Sequence, residues 1–392
     1  MKPKRIYLDY AASTPVAPEV LKAMAPYWSD KFGNPSSVHS FGQEALSAVD
    51  RARETVTKAI MRPPAGEFRE IIFTGSATEA NNLALWGTLL GARNFMKGLP
   101  KIIVSSIEHE SVLQTARDME SAGEIELAIL PVDRNGIVDV KKIEKELNER
   151  TILVSVMYVN NEIGSVQPIA EISKIVATYK SGKSYPLFHT DAAQAFNYFN
   201  CDVNELGVDL MTLSGQKIYG PKGIGALYAR NQKQKTYNLK PIITGGGQEF
   251  GLRSGTENVP LIVGFAKAVE LAEKCRKESA KKVLGLRNYF WKGLKKFYPG
   301  AEINGDSKTL HILNIYFPTE FAGDLLVKLD IAGIAVSAGS ACTARAYTPS
   351  YVLQALNLSP ERVRGSLRFS FGKNNTKQEL DAAFKIMNKI LS

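Results

Sequence analysis

Between residues 70 and 230 the chain alternates short apolar runs with longer stretches whose apolar positions recur every three or four residues. The short runs, at 70–74, 101–106, 126–132 and 151–159 and those ending at Asp191 and Leu213, have the length of strands. The run at 151–159 hardly alternates, as expected of a strand buried on both faces. Helical spacing predicts helices over 18–28, 41–61, 111–121, 140–148 and 169–180. In 41–61, for example, Ala45, Ala48, Val49, Ala52, Val56 and Ile60 mark one face. Ser76 and Glu79 have capping-box spacing at the head of a further helix, through Leu90. Strand–helix units repeated in this way predict an α/β fold, an open sheet with its ligand at the carboxyl ends of the strands.

Beyond Pro260 the pattern changes. A long lysine-rich helix is predicted over 261–297, strands over 311–317 and 366–371, and a last helix from Thr376 to Leu391, with Glu379 completing a second capping box. The expected organisation is a large domain, 15–260, and a small α+β domain, 261–392, on which 1–14 packs back.

With 392 residues the chain can bury a large core, and 44% hydrophobic with 22% charged residues is ordinary for a globular protein. The net charge of +10 comes from lysines spread along the chain, with no aromatic-interleaved basic block of the nucleic-acid type, so no direct nucleic-acid binding is expected. Cys201, Cys275 and Cys342 have neither metal nor disulfide spacing, which fits a reducing compartment. Asp9 interrupts the N-terminus before any apolar signal region can form, and no run approaches the roughly 20 apolar residues of a membrane span. A cytoplasmic location is the default expectation. Neither a Walker loop nor a Rossmann fingerprint is present.

Two stretches carry the chemistry. The first is Leu210-Met-Thr-Leu-Ser-Gly-Gln-Lys217, an apolar strand ending in a lysine that is followed by Gly220, Pro221, Gly223 and Gly225. A lysine at the end of a buried strand is useful when deprotonated or tied up as an imine. Upstream, Phe188-His-Thr-Asp191 ends another strand, with Gln194 just beyond. A carboxylate to hold a ring nitrogen, a lysine to form a Schiff base and the Ser214 hydroxyl for a phosphate together point to pyridoxal phosphate. Thr78, at the start of the helix behind Ser76, then gains weight as part of a phosphate cradle. The second stretch, 335–350, is rich in small residues, reads as a mobile loop and carries Cys342 near Arg345. A thiol so placed is a candidate nucleophile, whereas Cys201 and Cys275 read as inert packing residues.

The chain resembles the cysteine desulfurases of the NifS/IscS type, in the class-V aminotransferase branch of the fold-type I pyridoxal phosphate enzymes. The resemblance rests on Tyr7-Leu-Asp-Tyr-Ala-Ala, Gly33-Asn-Pro-Ser-Ser, Ala77-Thr-Glu, Glu108-His, Val159-Asn-Asn-Glu-Ile-Gly, His189-Thr-Asp-Ala-Ala-Gln, Ser214-Gly-Gln-Lys, Arg253-Ser-Gly-Thr, Gly339-Ser-Ala-Cys-Thr and Arg368-Phe-Ser, in that order. It implies a large, mainly parallel seven-stranded sheet domain, a homodimer, and removal of sulfur from L-cysteine to give L-alanine and a persulfide on Cys342. It also implies roles. Lys217 would carry the cofactor and move protons, Asp191 would hold the pyridine nitrogen and Gln194 the phenolic oxygen. His109 would lie on the ring face. Ala77, Thr78 and Ser214 would bind the phosphate with Thr256 from a neighbouring subunit. Arg368 would pair with the substrate carboxylate, and Asn161 and Asn34 would line the substrate site. No resident metal is implied, although Cys342 could transiently ligate an iron–sulfur cluster. Acceptors would be iron–sulfur scaffold or tRNA-thiolation relay proteins.

One position departs from the family. Gln216 stands where a histidine usually precedes the lysine. Glutamine can donate to phosphate but never carry positive charge, so weaker cofactor retention is expected. The alternatives are a selenocysteine lyase, another class-V enzyme such as an aminotransferase, or a non-enzymatic scaffold. An aminotransferase needs no thiol such as Cys342, and a scaffold needs neither Lys217 nor Asp191.

Overall fold

The fold is known from a computed structural model that describes residues 5–61, 68–93, 95–230, 239–305, 310–339 and 349–391. The largest sheet has seven strands, in the order Ile71–Thr74, Gly225–Ala229, Leu210–Ser214, Leu187–Asp191, Thr151–Ser155, Lys101–Ser105, Glu126–Leu130. Only Gly225–Ala229 runs against the others. All but the Glu126–Leu130 edge strand are buried along their whole length, because helices cover both faces. That is why these strands read as continuous apolar runs rather than alternating ones.

A smaller antiparallel sheet joins Ser366–Ser370, Ile312–Tyr316 and Glu302–Asn304 in that order. Ile6–Tyr7 pairs in parallel with Ile334–Ala335. Helix Val259–Phe297 links the two units. Its residues from Val259 to Ala272 enter the core beneath the large sheet, and those from Val283 to Leu294 enter the core of the small one.

Where the elements differ from the sequence expectation, the reasons are local. The helix expected over 18–28 is two, Pro18–Met24 and Pro26–Ser29, because Pro26 has no N–H to continue the ladder. The strand expected over 151–159 leaves the sheet after Ser155, and Val159 instead bridges to Val166. The Thr376 capping box forms in full: Glu379 N donates to Thr376 Oγ1 and Thr376 N to Glu379 Oε2, both at 3.2 Å. At Ser76 the box is displaced. Ser76 Oγ accepts from Glu79 N at 3.1 Å, but Glu79 Oε2 reaches back to Gly75 N and Glu79 Oε1 takes Arg253 Nε at 2.9 Å. Among the described residues no helix is long and apolar enough to cross a membrane.

The loop that precedes the long helix is tied down by a buried ion pair. Arg53 Nη1 and Nη2 meet the two oxygens of Glu249 at 2.7 and 2.8 Å, and Phe73 N also donates to Glu249 Oε2. The guanidinium lies 4.7 Å from the ring centroid of Phe73 and 4.8 Å from that of Phe250. Both charged side chains are almost fully buried, at 4% and 3% exposure. Removing one partner strands the other charge, so Glu249→Ala is expected to lower stability by about 3–5 kcal/mol. The double change Arg53→Met, Glu249→Leu is expected to cost much less, which urea denaturation of the three proteins measures.

Candidate active site

Neighbouring parallel strands bring the first groups together. Leu187–Asp191 and Leu210–Ser214 run in register, Asp191 opposite Thr212, so Asp191 and Ser214 emerge at the same carboxyl edge. A single 3-10 turn, Gly215–Lys217, then places the lysine over that edge. The turn is tight enough that a Cβ on Gly215 would sit 2.8 Å from Pro221 O. Tyr219 follows at φ 63°, a left-handed conformation costly for a bulky residue, and its N–H is held by Thr14 Oγ1 at 2.8 Å.

Lys217 Nζ donates to the carbonyls of Ala11 and Ala12 at 2.6 and 2.7 Å, and Gln194 Nε2 shares the Ala11 carbonyl at 2.8 Å. Sequence reasoning missed these contacts because main-chain acceptors leave no trace in residue type. The nearest signal was the Tyr7-Leu-Asp-Tyr-Ala-Ala motif itself.

Asp191 is buried, with Oδ1 accepting from Ala193 N at 2.9 Å and Oδ2 from Asn81 Nδ2 at 2.8 Å. The Asn81 amide also donates to Ser111 Oγ at 2.8 Å. Ser111 Oγ lies 2.8 Å from His109 Nδ1, which also accepts the Ser111 backbone N–H at 3.1 Å. The imidazole thus caps the helix Glu110–Ser121. Burial holds the His109 pKa below the ordinary histidine value, against the opposing pull of Asp191. Beside it, Glu108 is wholly buried and pushed up to about 8 by desolvation, with Oε1 accepting from Met157 N at 2.8 Å. Burial therefore shifts its carboxyl toward the neutral form. Sequence reasoning read the Glu108-His pair without seeing that the glutamate faces inward.

At the other end of the cavity, helix Ala77–Ala92 opens with Ser76 as N-cap. Ser76 Oγ takes the Glu79 N–H, and the N–H groups of Ala77 and Thr78 belong to the first turn, which has no intrahelical acceptors. Gly225 lets the antiparallel strand approach: a Cβ there would stand 2.8 Å from Ala77 N. The Ser214 hydroxyl joins this rim. Free first-turn amides, two hydroxyls and the positive end of a helix dipole suit a phosphate.

Arg368, on the small sheet, is 1% exposed. Its Nη2 meets Asp9 Oδ1 at 2.7 Å and its Nη1 the Asn161 carbonyl at 2.8 Å. Arg368 Nε and Asn161 Oδ1 are buried and find no hydrogen-bond partner among the described residues. Unpaired buried polar atoms on residues that line a cavity are candidate contacts for a ligand.

Ala77, Thr78, His109, Asn161, Asp191, Gln194, Ser214, Gln216, Lys217 and Arg368 all line one cavity of about 230 Å³, together with Ala11, Ala12, Ser111 and Met157. Asn34 and Thr256 are exposed and do not line it. Cys342 lies outside the described residues. Asn34 Oδ1 caps its own turn through Ser36 N at 2.9 Å. Among the described residues no cluster of three or more His, Cys, Asp or Glu could hold a metal ion.

The aminotransferase class-V family pattern matches residues 6–383. A relative from Dictyoglomus turgidum named cysteine desulfurase IscS is 41% identical over 99% of this chain and 95% of its own. One from Bacillus subtilis, named putative cysteine desulfurase IscS 1, is 44% identical over 97% of both. Among solved structures, a NifS-like protein superposes with a TM-score of 0.89 at 35% identity, covering 99% of each chain. A structure titled SspA in complex with cysteine gives 0.81 at 37%, over 95% of this chain and all of its own.

The Arg368 guanidinium depends on Asp9 for charge balance, with side-chain exposures of 2% and 15%. Asp9→Ala leaves it buried without a counter-charge and is expected to lower stability by about 2–4 kcal/mol. A fall in the urea midpoint without a change in slope is the expected reading.

Proposed function

Since the chain belongs to the aminotransferase class-V family, and within it to the cysteine desulfurases, we propose that this cavity binds pyridoxal phosphate and L-cysteine and passes the substrate's sulfur to Cys342. The observation that carries the reading is one cavity lined by a lysine, a buried carboxylate, a helix start with free amides and a buried arginine. Each matches one part of the cofactor–substrate pair: carbonyl carbon, ring nitrogen, phosphate and amino-acid carboxylate. When bound, the cofactor supplies electron withdrawal from Cα and Cβ of the amino acid, which weakens the C–S bond.

The chain's own residues do the rest. Asp191, fixed by Ala193 N and Asn81, offers a carboxylate for a protonated ring nitrogen. Ala77 N, Thr78 and Ser214 grip the phosphate. The Arg368 guanidinium would pair with the substrate carboxylate, and the Asn161 amide would add a second polar contact. Lys217 Nζ, which donates to the Ala11 and Ala12 carbonyls, would carry the cofactor and move a proton at the substrate's Cα. His109, kept neutral by burial, can give or take a proton at the sulfur side. The sulfur step balances within the chain. The Cβ–S bond of cysteine breaks, an S–S bond to Cys342 forms, and Cβ takes a proton to become the methyl of alanine. No outside oxidant is needed.

The described residues on either side of 340–348 support a role for that segment here. Ser350 Oγ donates to Glu162 Oε2 at 2.5 Å, and a Cβ on Gly339 would stand 3.9 Å from the same oxygen. Glu162 directly follows Asn161 of the cavity. Thr256, exposed on this chain, is proposed to complete the phosphate site of a second copy in a homodimer. Persulfide acceptors of the iron–sulfur or tRNA-thiolation kind and a cytoplasmic setting belong to the same reading.

Cys342→Ser is expected to keep the cofactor's yellow colour and its loss on borohydride reduction, while protein-bound persulfide vanishes and alanine formation falls at least about 100-fold, as when a reacting nucleophile is removed. Persulfide and alanine at wild-type levels in that variant reject the reading. Gln216→His is expected to tighten cofactor retention, because an imidazole on this wall can carry positive charge and glutamine cannot. Equilibrium dialysis against pyridoxal phosphate measures it, and unchanged or weaker retention contradicts the assigned role of position 216.

A further inference from the structure

The contacts of Asn81 carry an assignment beyond the residues so far given roles. Asn81 is fully buried on the inner face of helix Ala77–Ala92. A carboxylate only accepts, so the amide edge facing Asp191 must be Nδ2. Its two hydrogens are then both committed, one to Asp191 Oδ2 and one to Ser111 Oγ, each at 2.8 Å. Ser111 Oγ lies 2.8 Å from His109 Nδ1 and gives it its own hydrogen, because that nitrogen is already an acceptor for a second donor. The same Nδ1 receives the Ser111 backbone N–H. A nitrogen accepting two donors cannot hold a proton, so the single proton of neutral His109 stands on Nε2.

We propose that Asn81 and Ser111 are positioning residues for the desulfurase reaction: one amide orients Asp191 directly and, through the Ser111 hydroxyl, fixes the tautomer of His109. This rests on the reading that Asp191 and His109 face the cofactor. The arrangement ties the group that holds the ring nitrogen to the group on the ring face, so neither turns without the other. The charged and titratable groups facing the imidazole are Asp191, Lys217 and Glu110.

The test is a nitrogen-15 NMR titration of the histidine rings in cofactor-free protein, with the His109 signals identified by their loss in His109→Gln. Wild type is expected to show the Nε2–H tautomer. Ser111→Ala removes one donor to Nδ1, so its titration midpoint is expected to rise by about 0.5–1 pH unit. Ser111→Thr, which retains the hydroxyl, is expected to restore it. Asn81→Ala touches neither ring nitrogen, yet is expected to shift both His109 resonances, because the serine hydroxyl is then free to turn. A merely structural role for the asparagine would leave them unmoved. Unmoved His109 signals in a folded Asn81→Ala protein, or an unchanged midpoint in Ser111→Ala, overturn the proposal; should Asn81→Ala fail to fold, the two serine variants decide it. The cofactor is absent, so the outcome is independent of the cofactor reading. In the loaded enzyme the acidic limb of the kcat profile is expected to move with the midpoint, and a shift in NMR without one in kcat limits the network to a structural role.

Discussion

The ammonium of Lys217 rests on two backbone carbonyls, Ala11 and Ala12, and the site is arranged around that contact. Main-chain carbonyls can hold a cation only if the chain presenting them is fixed. Here it is fixed at every step. Ile6–Tyr7 is a strand beside Ile334–Ala335, Asp9 is paired with Arg368, Ala11 N donates to Ser370 Oγ at 2.9 Å, and Thr14 bonds the Gln216 carbonyl and Tyr219 N. The segment from Ile6 to Thr14 is therefore a seam between the small sheet and the lysine turn. Displacing it would loosen the amine, the Gln194 amide and the arginine together.

Most of the charged and titratable groups around this cavity are buried, so each is met by a fixed partner or pushed toward its neutral form. The observed solutions differ by group. Lys217 has carbonyls, Arg368 has Asp9 and a carbonyl, and Asp191 has a backbone N–H and an amide. Glu108 and His109, with no ion-pair partner among the described residues, are pushed toward neutrality by burial. The neutral pair matters because a second carboxylate beside Asp191 would compete for any cationic ring, and a cationic imidazole would oppose one. The polarity left over runs from a fixed negative charge at Asp191 to free amides at Ala77 and Thr78. A ligand carrying a cationic ring nitrogen at one end and an anion at the other fits that gradient.

Much of this was legible in the sequence, for a physical reason. Buried parallel strands need unbroken apolar runs, and the residues that end them are exposed to the one crevice the topology creates. Asp191, Ser214 and Lys217 could thus be placed together from position alone. Caps were legible at Thr376 and half legible at Ser76, where Glu79 turned instead to Gly75 and Arg253. Asn81 and Ser111 were not, because a polar residue on the inner face of a helix looks like any polar interruption until its neighbours are known. Nor were the short helices Ala322–Ile331, Tyr351–Ala355 and Pro360–Arg364: the first packs into the small core, while Val352, Leu353 and Val363 of the other two reach back into the core of the large sheet, a long-range contact that leaves no local pattern. Pro26 was legible in principle, and its break in the helix follows from its chemistry alone.

The wall of the cavity and its missing parts also divide along physical lines. What must be held to a fraction of an ångström for electron withdrawal to act sits on strand ends and helix starts of the large sheet, where backbone pairing fixes it. The proposed carboxylate grip, Arg368, comes from a different unit, the small sheet, so substrate binding on that reading would couple two cores. Thr256 is carried on a loop that the buried Arg53–Glu249 pair fastens to the large core, and it is exposed and does not line its own chain's cavity. An expensive buried ion pair is a poor way to gain stability, since an apolar pair of the same volume would serve as well. It is a good way to fix the direction of an exposed loop. That geometry makes most sense if the loop serves a site other than its own.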